Sequence, residues 1–75
     1  LNLKRVLITR GAELIGHINH TKRHEIIYII RGNLTIDIED NAEFLKRGDC
    51  LYLRESVPKK ISNRGGDEAE LLIVW

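Results

Sequence analysis

Apolar and polar residues alternate along this chain in short runs, each closed by turn-forming residues. Leu3, Val6 and Ile8 mark a first extended run that ends at Arg10-Gly11. A second, Glu13 to Ile18, enters the polar stretch from Asn19 to His24. The run Glu25 to Arg31 is rich in β-branched residues and closes at Gly32-Asn33. Leu34, Ile36 and Ile38 then alternate with Thr35, Asp37 and Glu39, the period of a half-buried strand. Asp40-Asn41 predicts a hairpin turn into Ala42 to Leu45, and Arg47-Gly48-Asp49 a second turn into a strand over Cys50 to Leu53. After Pro58 the chain leads to Ile61 and Asn63, loops at Gly65-Gly66 and ends in a strand from Glu70 to Trp75. No window keeps helical apolar spacing over three turns. About eight short strands with turn signals between them predict an all-β sandwich or barrel.

The strand from Glu25 to Arg31 departs from simple alternation. Side chains on a strand point to opposite faces in turn, so Glu25, Ile27 and Ile29 share one face. Ile26, Tyr28 and Ile30 share the other, and they are apolar too. A solvent-facing strand of a small monomer is normally polar on that side. The pattern predicts that a second chain covers this face, giving a homodimer. The alternative is a covering by the chain's own first strand.

Size sharpens that expectation. The sequence has 75 residues, enough for one domain spanning 1–75. A domain this small buries only about 60% of the surface its unfolded chain exposes. The single cysteine, Cys50, excludes an internal disulfide and a CxxC zinc site. Hydrophobic residues at 43% and charged ones at 31% suit a globular domain and argue against disorder. Twelve basic against eleven acidic residues leave a formal charge of +1, which makes no electrostatic case for a nucleic-acid partner. Lys59 and Lys60 form at most a local patch. The longest apolar runs, Ile26 to Ile30 and Leu71 to Trp75, are too short to span a bilayer, and no signal-peptide pattern is visible. The expectation is a cytoplasmic protein without a membrane partner. Its start at Leu1 suggests a piece of something longer.

Chemistry concentrates in one place. All three histidines, His17, His20 and His24, precede or adjoin Glu25. Imidazoles with a carboxylate suit a divalent transition metal such as Zn, Ni, Mn or Fe. On an extended strand His17 and His20 fall on opposite faces unless a bulge or turn intervenes. His24 and Glu25 are adjacent and also point apart. His20 is the strongest ligand candidate of the three; His17 reads more readily as a strand-edge residue than as a ligand, and His24 as a solvated loop residue.

The run from Gly11 through Glu25 to Gly32, and then Gly48 to Asn63, resembles the two signature blocks of the cupin superfamily. The first block reads G, five residues, H, one residue, H, three or four residues, E, six residues, G. The second reads G, five residues, P, one residue, G, two residues, H, three residues, N. Glu25 and Gly32 fit the first without adjustment, and Gly48 and Asn63 have the separation of the second. The resemblance implies a double-stranded β-helix, or jelly-roll barrel, with Asn63 in a structural turn.

It also implies a metal held by two histidines and the glutamate of the first block and the histidine of the second. Here the match is partial. Counting back from Glu25 aligns His20 with the second histidine, whereas counting forward from Gly11 aligns His17 with the first. The two registers differ by one residue. In the second block Arg54 and Ser56 stand for the proline and glycine, and Lys59 stands for the histidine. A lysine ammonium has no lone pair to give a metal, but it could pair with Glu25 across the barrel. Any metal held by His17, His20 and Glu25 would be weakly held.

The other residues have mixed readings. Arg54 is part of a charged turn, or a bidentate clamp for a carboxylate or phosphate at the barrel mouth. Tyr52 and Trp75 are core aromatics or pocket walls, and Cys50 reads as a small buried hydrophobe. The expected pocket comprises Lys59, Tyr52 and Arg54. No serine nucleophile has a plausible base, and no glycine loop suits a phosphate. Two principal functions follow from the resemblance: a non-catalytic small-molecule-binding or sensor module, or a metal-dependent isomerase, epimerase or dioxygenase acting on a small polar metabolite such as a sugar. A structural oligomerisation module is a third.

Overall fold

A computed structural model describes residues 2–16, 24–38, 40–53 and 59–75, with backbone alone at 15, 16 and 59. Eight strands follow in order: β1 (Leu3–Ile8), β2 (Glu13–Gly16), β3 (Glu25–Arg31), β4 (Asn33–Ile38), β5 (Asn41–Lys46), β6 (Cys50–Leu53), β7 (Lys59–Ser62) and β8 (Ala69–Val74). They form two four-stranded sheets, β1-β8-β3-β6 and β2-β7-β4-β5. Every strand pair is antiparallel. The spacing of strands and turns predicts a sandwich or barrel, and this is the jelly-roll barrel that the resemblance implies. Strand β5 starts one residue early, because Asn41 pairs with Ile38 instead of sitting in the turn.

The inner faces of the two sheets meet in one core. Ile27 and Ile29 of β3 and Leu71 and Ile73 of β8 face Ile36 of β4 and Ile61 of β7, all fully buried. Burying a side chain of this size contributes about 1.5–3 kcal/mol, so these positions dominate the fold's stability. Trp75, Leu51 and Leu53 pack against the same cluster from its margin.

Two motif residues make the crossings possible. The chain passes from β3 to β4, and so from one sheet to the other, at Gly32. There φ is +87°, and a Cβ would lie 2.7 Å from the Ala69 Cβ. Only glycine combines that left-handed backbone with so close an approach. Asn63 is 1% exposed and ties three segments together. Its Nδ2 donates to the carbonyls of Ile8 and Asp67, 2.8 Å each, and its Oδ1 accepts from the Gly65 amide at 3.0 Å. Its backbone carbonyl also accepts from Gly11 N at 2.8 Å. The expected structural role of Asn63 is thus a specific set of bonds joining the β1–β2 turn to the loop before β8.

Strand β3 alternates as the sequence predicts. Glu25, Ile27 and Ile29 are buried, Ile26 and Tyr28 are exposed, and Ile30 is half-buried. The first strand does not cover the outer side of β3. It pairs edge to edge with β8 from Leu3↔Val74 to Ile8↔Ala69, which widens the sheet and leaves its outer face open.

Candidate functional site

Five strand ends converge at one end of the barrel. Glu25, the first residue of β3, pairs with Leu53, the last of β6. Gly16, the last of β2, pairs with Lys59, the first of β7, which also pairs with Ile38 at the end of β4. The segment 17–23 connects Gly16 to the start of β3, and 54–58 connects Leu53 to Lys59. The chemistry-bearing positions of both signature blocks therefore enter or leave the fold at this end. The crossing at Gly32 and the loop organised by Asn63 occupy the other.

Glu25 is fully buried on the inner face, two residues from Ile27. A carboxylate withdrawn from water in this way needs cations, a metal or hydrogen-bond donors around it, because desolvation disfavours its charge by several kcal/mol. On the facing sheet, Lys59 holds the register position opposite Gly16 and Ile38, two residues from the buried Ile61. By the period of two Ile61 and Lys60 point to opposite faces. Lys60 does face outward, with Nζ 3.8 Å from both Glu13 Oε2 and Asp37 Oδ2.

Of the other predicted site residues, His17, His20 and Arg54 lie outside the described residues. Tyr52, expected in the pocket, stands on the outer face and is 54% exposed. The cause is its pairing with Ile26, which puts Leu51 and Leu53 on the inside and Tyr52 on the side away from Glu25. There its ring stacks on His24 at 5.5 Å between centroids, and its hydroxyl shares a hydrogen bond with His24 Nδ1. Cys50 is likewise exposed, not buried, because it shares Tyr52's face opposite Tyr28.

Sequence reasoning missed two features. Arg5, Arg31, Glu68 and Glu70 form an ion-pair cluster on the outer face of β1, β3 and β8. Arg31 Nε lies 3.1 Å from Glu70 Oε1 and its Nη2 2.7 Å from Glu68 Oε1, while Arg5 Nε donates to Glu70 Oε2. Arg31 holds the Glu70 carboxyl below the ordinary carboxylate range, burial opposing and Arg5 assisting. The second is an open cleft of about 570 Å³ bounded by Thr35, Phe44, Lys46, Asp49 and Arg64. It lies beside Asn33 and the Asn63 loop, at the end of the barrel remote from Glu25.

Comparison with known proteins agrees with the topology. The model of the Cupin_2 family, the cupin domain, matches residues 4–75. This chain is a cupin. It is 27% identical over 71 residues to the uncharacterized protein MJ1618 of Methanocaldococcus jannaschii, covering 95% of this chain and 56% of that protein's length. The Cupin_2 domain of an XRE family transcriptional regulator from Enterobacter cloacae superposes with a TM-score of 0.84 at 14% identity, covering 95% of this cupin and 75% of that chain. A predicted oxalate decarboxylase from Thermotoga maritima gives 0.80 at 24% identity, over 95% and 61%. At these identities the structural likeness establishes the fold, which regulators and enzymes share.

Cupins often bind metals, so the donor set needs a test. Among the described residues, no three histidine, cysteine, aspartate or glutamate side chains come together. Among the described residues Glu25 is the one buried ligand-type side chain at this end of the barrel, and the position of the fourth family ligand is held by Lys59, which cannot ligate while protonated. The described residues do not fit a four-ligand metal centre. They place a buried carboxylate on one sheet and the register position of a lysine on the other. Among them, no helix is long and apolar enough to cross a membrane.

Proposed function

We propose that this cupin is a small-molecule-binding or sensor module, non-catalytic, whose barrel presents a carboxylate and a cation where metal-dependent relatives present a metal. The observation that supports the reading is the register of Lys59, two residues from the buried Ile61 on β7, at the end of the barrel where Glu25 is buried. A Glu25–Lys59 pair would leave the interior neutral overall. Such a pocket offers a hydrogen-bond acceptor and a cationic donor to a small polar ligand, neutral or anionic, with Arg54 as a second cation at the mouth. Fusion of a similar barrel to a transcriptional regulator supports a sensing use.

The test is a titration of Ni²⁺ and Zn²⁺ into the parent and Lys59→His. Restoring an imidazole at position 59 should tighten binding by about tenfold or more if that position faces Glu25 and the histidines. No gain over a weak parent would sink the inner-face assignment of Lys59. A second reading, a metal-dependent enzyme of the isomerase, epimerase or dioxygenase type acting on a small polar metabolite, draws support from the retention of Glu25 and the nearby His17 and His20. Parent protein that already binds metal tightly favours this second reading.

A further inference from the structure

The cleft remote from Glu25 is built on β4, β5 and the loop after β7. Cross-strand pairing sets its floor. Thr35 pairs with Phe44, and Asn33, one row further, pairs with Lys46. Thr35 and Phe44 alternate with the core residues Leu34 and Ile36, so they belong to the outer side of this sheet. Thr35 is buried, while Phe44, on the edge strand, is 76% exposed. The facing wall carries Arg64 and Gly65. Asn63 fixes that wall through its side-chain hydrogen bonds, one of them to the Gly65 amide. Gly65 lies against β4, since a Cβ added there would stand 3.8 Å from the Asn33 Cβ. The two walls are therefore set by the fold itself.

Charge gathers here in a chain that is close to neutral as a whole. Lys46 and Arg64 line the cleft with one acid, Asp49. Asp49 Oδ2 is already engaged in the turn after β5, where it accepts from the Lys46 amide at 2.9 Å. Arg5, Arg31 and Lys60 each face carboxylates on the outer sides of the sheets. Among the described residues Lys46 and Arg64 have no such ion-pair partner.

We infer that this cleft is a second ligand site, one that takes a small aromatic carboxylate. Its volume of about 570 Å³ lies within the range of small-molecule pockets. Phe44 offers its ring to a flat apolar body, and Arg64 can grip a carboxylate through two parallel N–H bonds. Two cations against one acid leave a single positive charge, which a monoanion balances and a phosphate dianion exceeds. The site is separate from the interior proposed above. Asn33 opens β4, whereas Lys59 pairs with Ile38 at its other end, roughly 17 Å along the strand.

Titration of the ¹⁵N-labelled full chain with 2-naphthoate, followed by two-dimensional NMR, tests this. The amides of Thr35, Phe44, Lys46 and Gly65 should shift saturably, with a Kd on the order of 10⁻⁴ M, while those of Ile26 and Leu53 stay in place. Acetate, which lacks the ring, and 2-naphthamide, which lacks the charge, should each bind about tenfold more weakly or worse. Phe44→Ser and Arg64→Gln, both at exposed side chains, should weaken naphthoate binding by about fivefold or more. Arg47→Gln, at an exposed cation outside the cleft lining, should change it by less than about twofold. Should a variant fail to fold, the parent's shift map and the two control ligands decide. No saturable shift at the four cleft amides, or equal affinity for the naphthamide, overturns the inference. Inorganic phosphate binding there more tightly than naphthoate overturns the ligand class. Naphthoate shifts confined to Ile26 and Leu53 place the anion in the barrel interior, which overturns the cleft site and leaves the proposed function standing.

Discussion

Replacing Gly32 with alanine tests how this chain turns from one sheet into the other. Two costs apply. The backbone there has φ +87°, a conformation that costs an ordinary L-residue about 1–2 kcal/mol. The new Cβ also falls 2.7 Å from Ala69 Cβ and 2.8 Å from Ala69 Cα, with the Glu68 carbonyl oxygen at 3.2 Å. Because a backbone atom is among the neighbours, rotation of a side chain cannot relieve the contact. Overpacking of this kind costs about 1–3 kcal/mol. The sum, about 2–5 kcal/mol, is a large part of the 4–11 kcal/mol or so expected for a domain of this length. Gly11→Ala separates the two costs, since φ is +80° there and the added Cβ meets nothing within 4 Å. Equilibrium urea unfolding at one fixed protein concentration should lower the midpoint of Gly32→Ala well below that of Gly11→Ala, with the slope unchanged. The added substitution Ala69→Gly should recover part of the loss. Equal midpoints for Gly32→Ala and Gly11→Ala would refute the steric argument, leaving backbone conformation as the whole effect.

Asn63→Ala removes the donor to two carbonyls and the acceptor for Gly65 N, so urea unfolding should show a loss of about 2–4 kcal/mol; Asn63→Asp, which sets a buried carboxylate oxygen against the same two carbonyls, should lose at least as much near neutral pH. The carboxyl of Glu70 titrates below its ordinary range in the folded state because of Arg31 and Arg5, so its stabilising contribution is fully present above the unfolded carboxylate pKa and is lost as pH falls through the lowered folded value. Thermal melts across the acid range should therefore show a steeper acid limb for the parent than for Glu70→Gln.

The eight strands and the two faces of β3 were legible because they rest on local signals: period-two alternation and turn residues at Gly32, Gly48 and Asn63. Legibility ended where burial depends on which partner a strand finds. Alternation within Cys50–Leu53 allowed two faces, and only the Tyr52↔Ile26 register directs Tyr52 and Cys50 outward. Arg5 and Glu70 are 65 residues apart, and nothing local in either strand foretells their meeting beside Arg31. The histidine spacing allows two registers, and the residues that would choose between them, His17 and His20, lie outside the described residues. Lys59 is intermediate. Its motif position was readable, and its register at the start of β7 follows from the pairing of that strand with both β2 and β4.

The central claim is that a lysine stands where a metal ligand would complete the centre, and metal content measures this most directly. Protein purified without chelator or affinity metal should carry far less than one equivalent of Zn, Ni, Mn or Fe by elemental analysis, and added metal should raise the melting temperature only slightly. One equivalent of metal surviving purification in the parent, and absent from His20→Ala, would contradict the account.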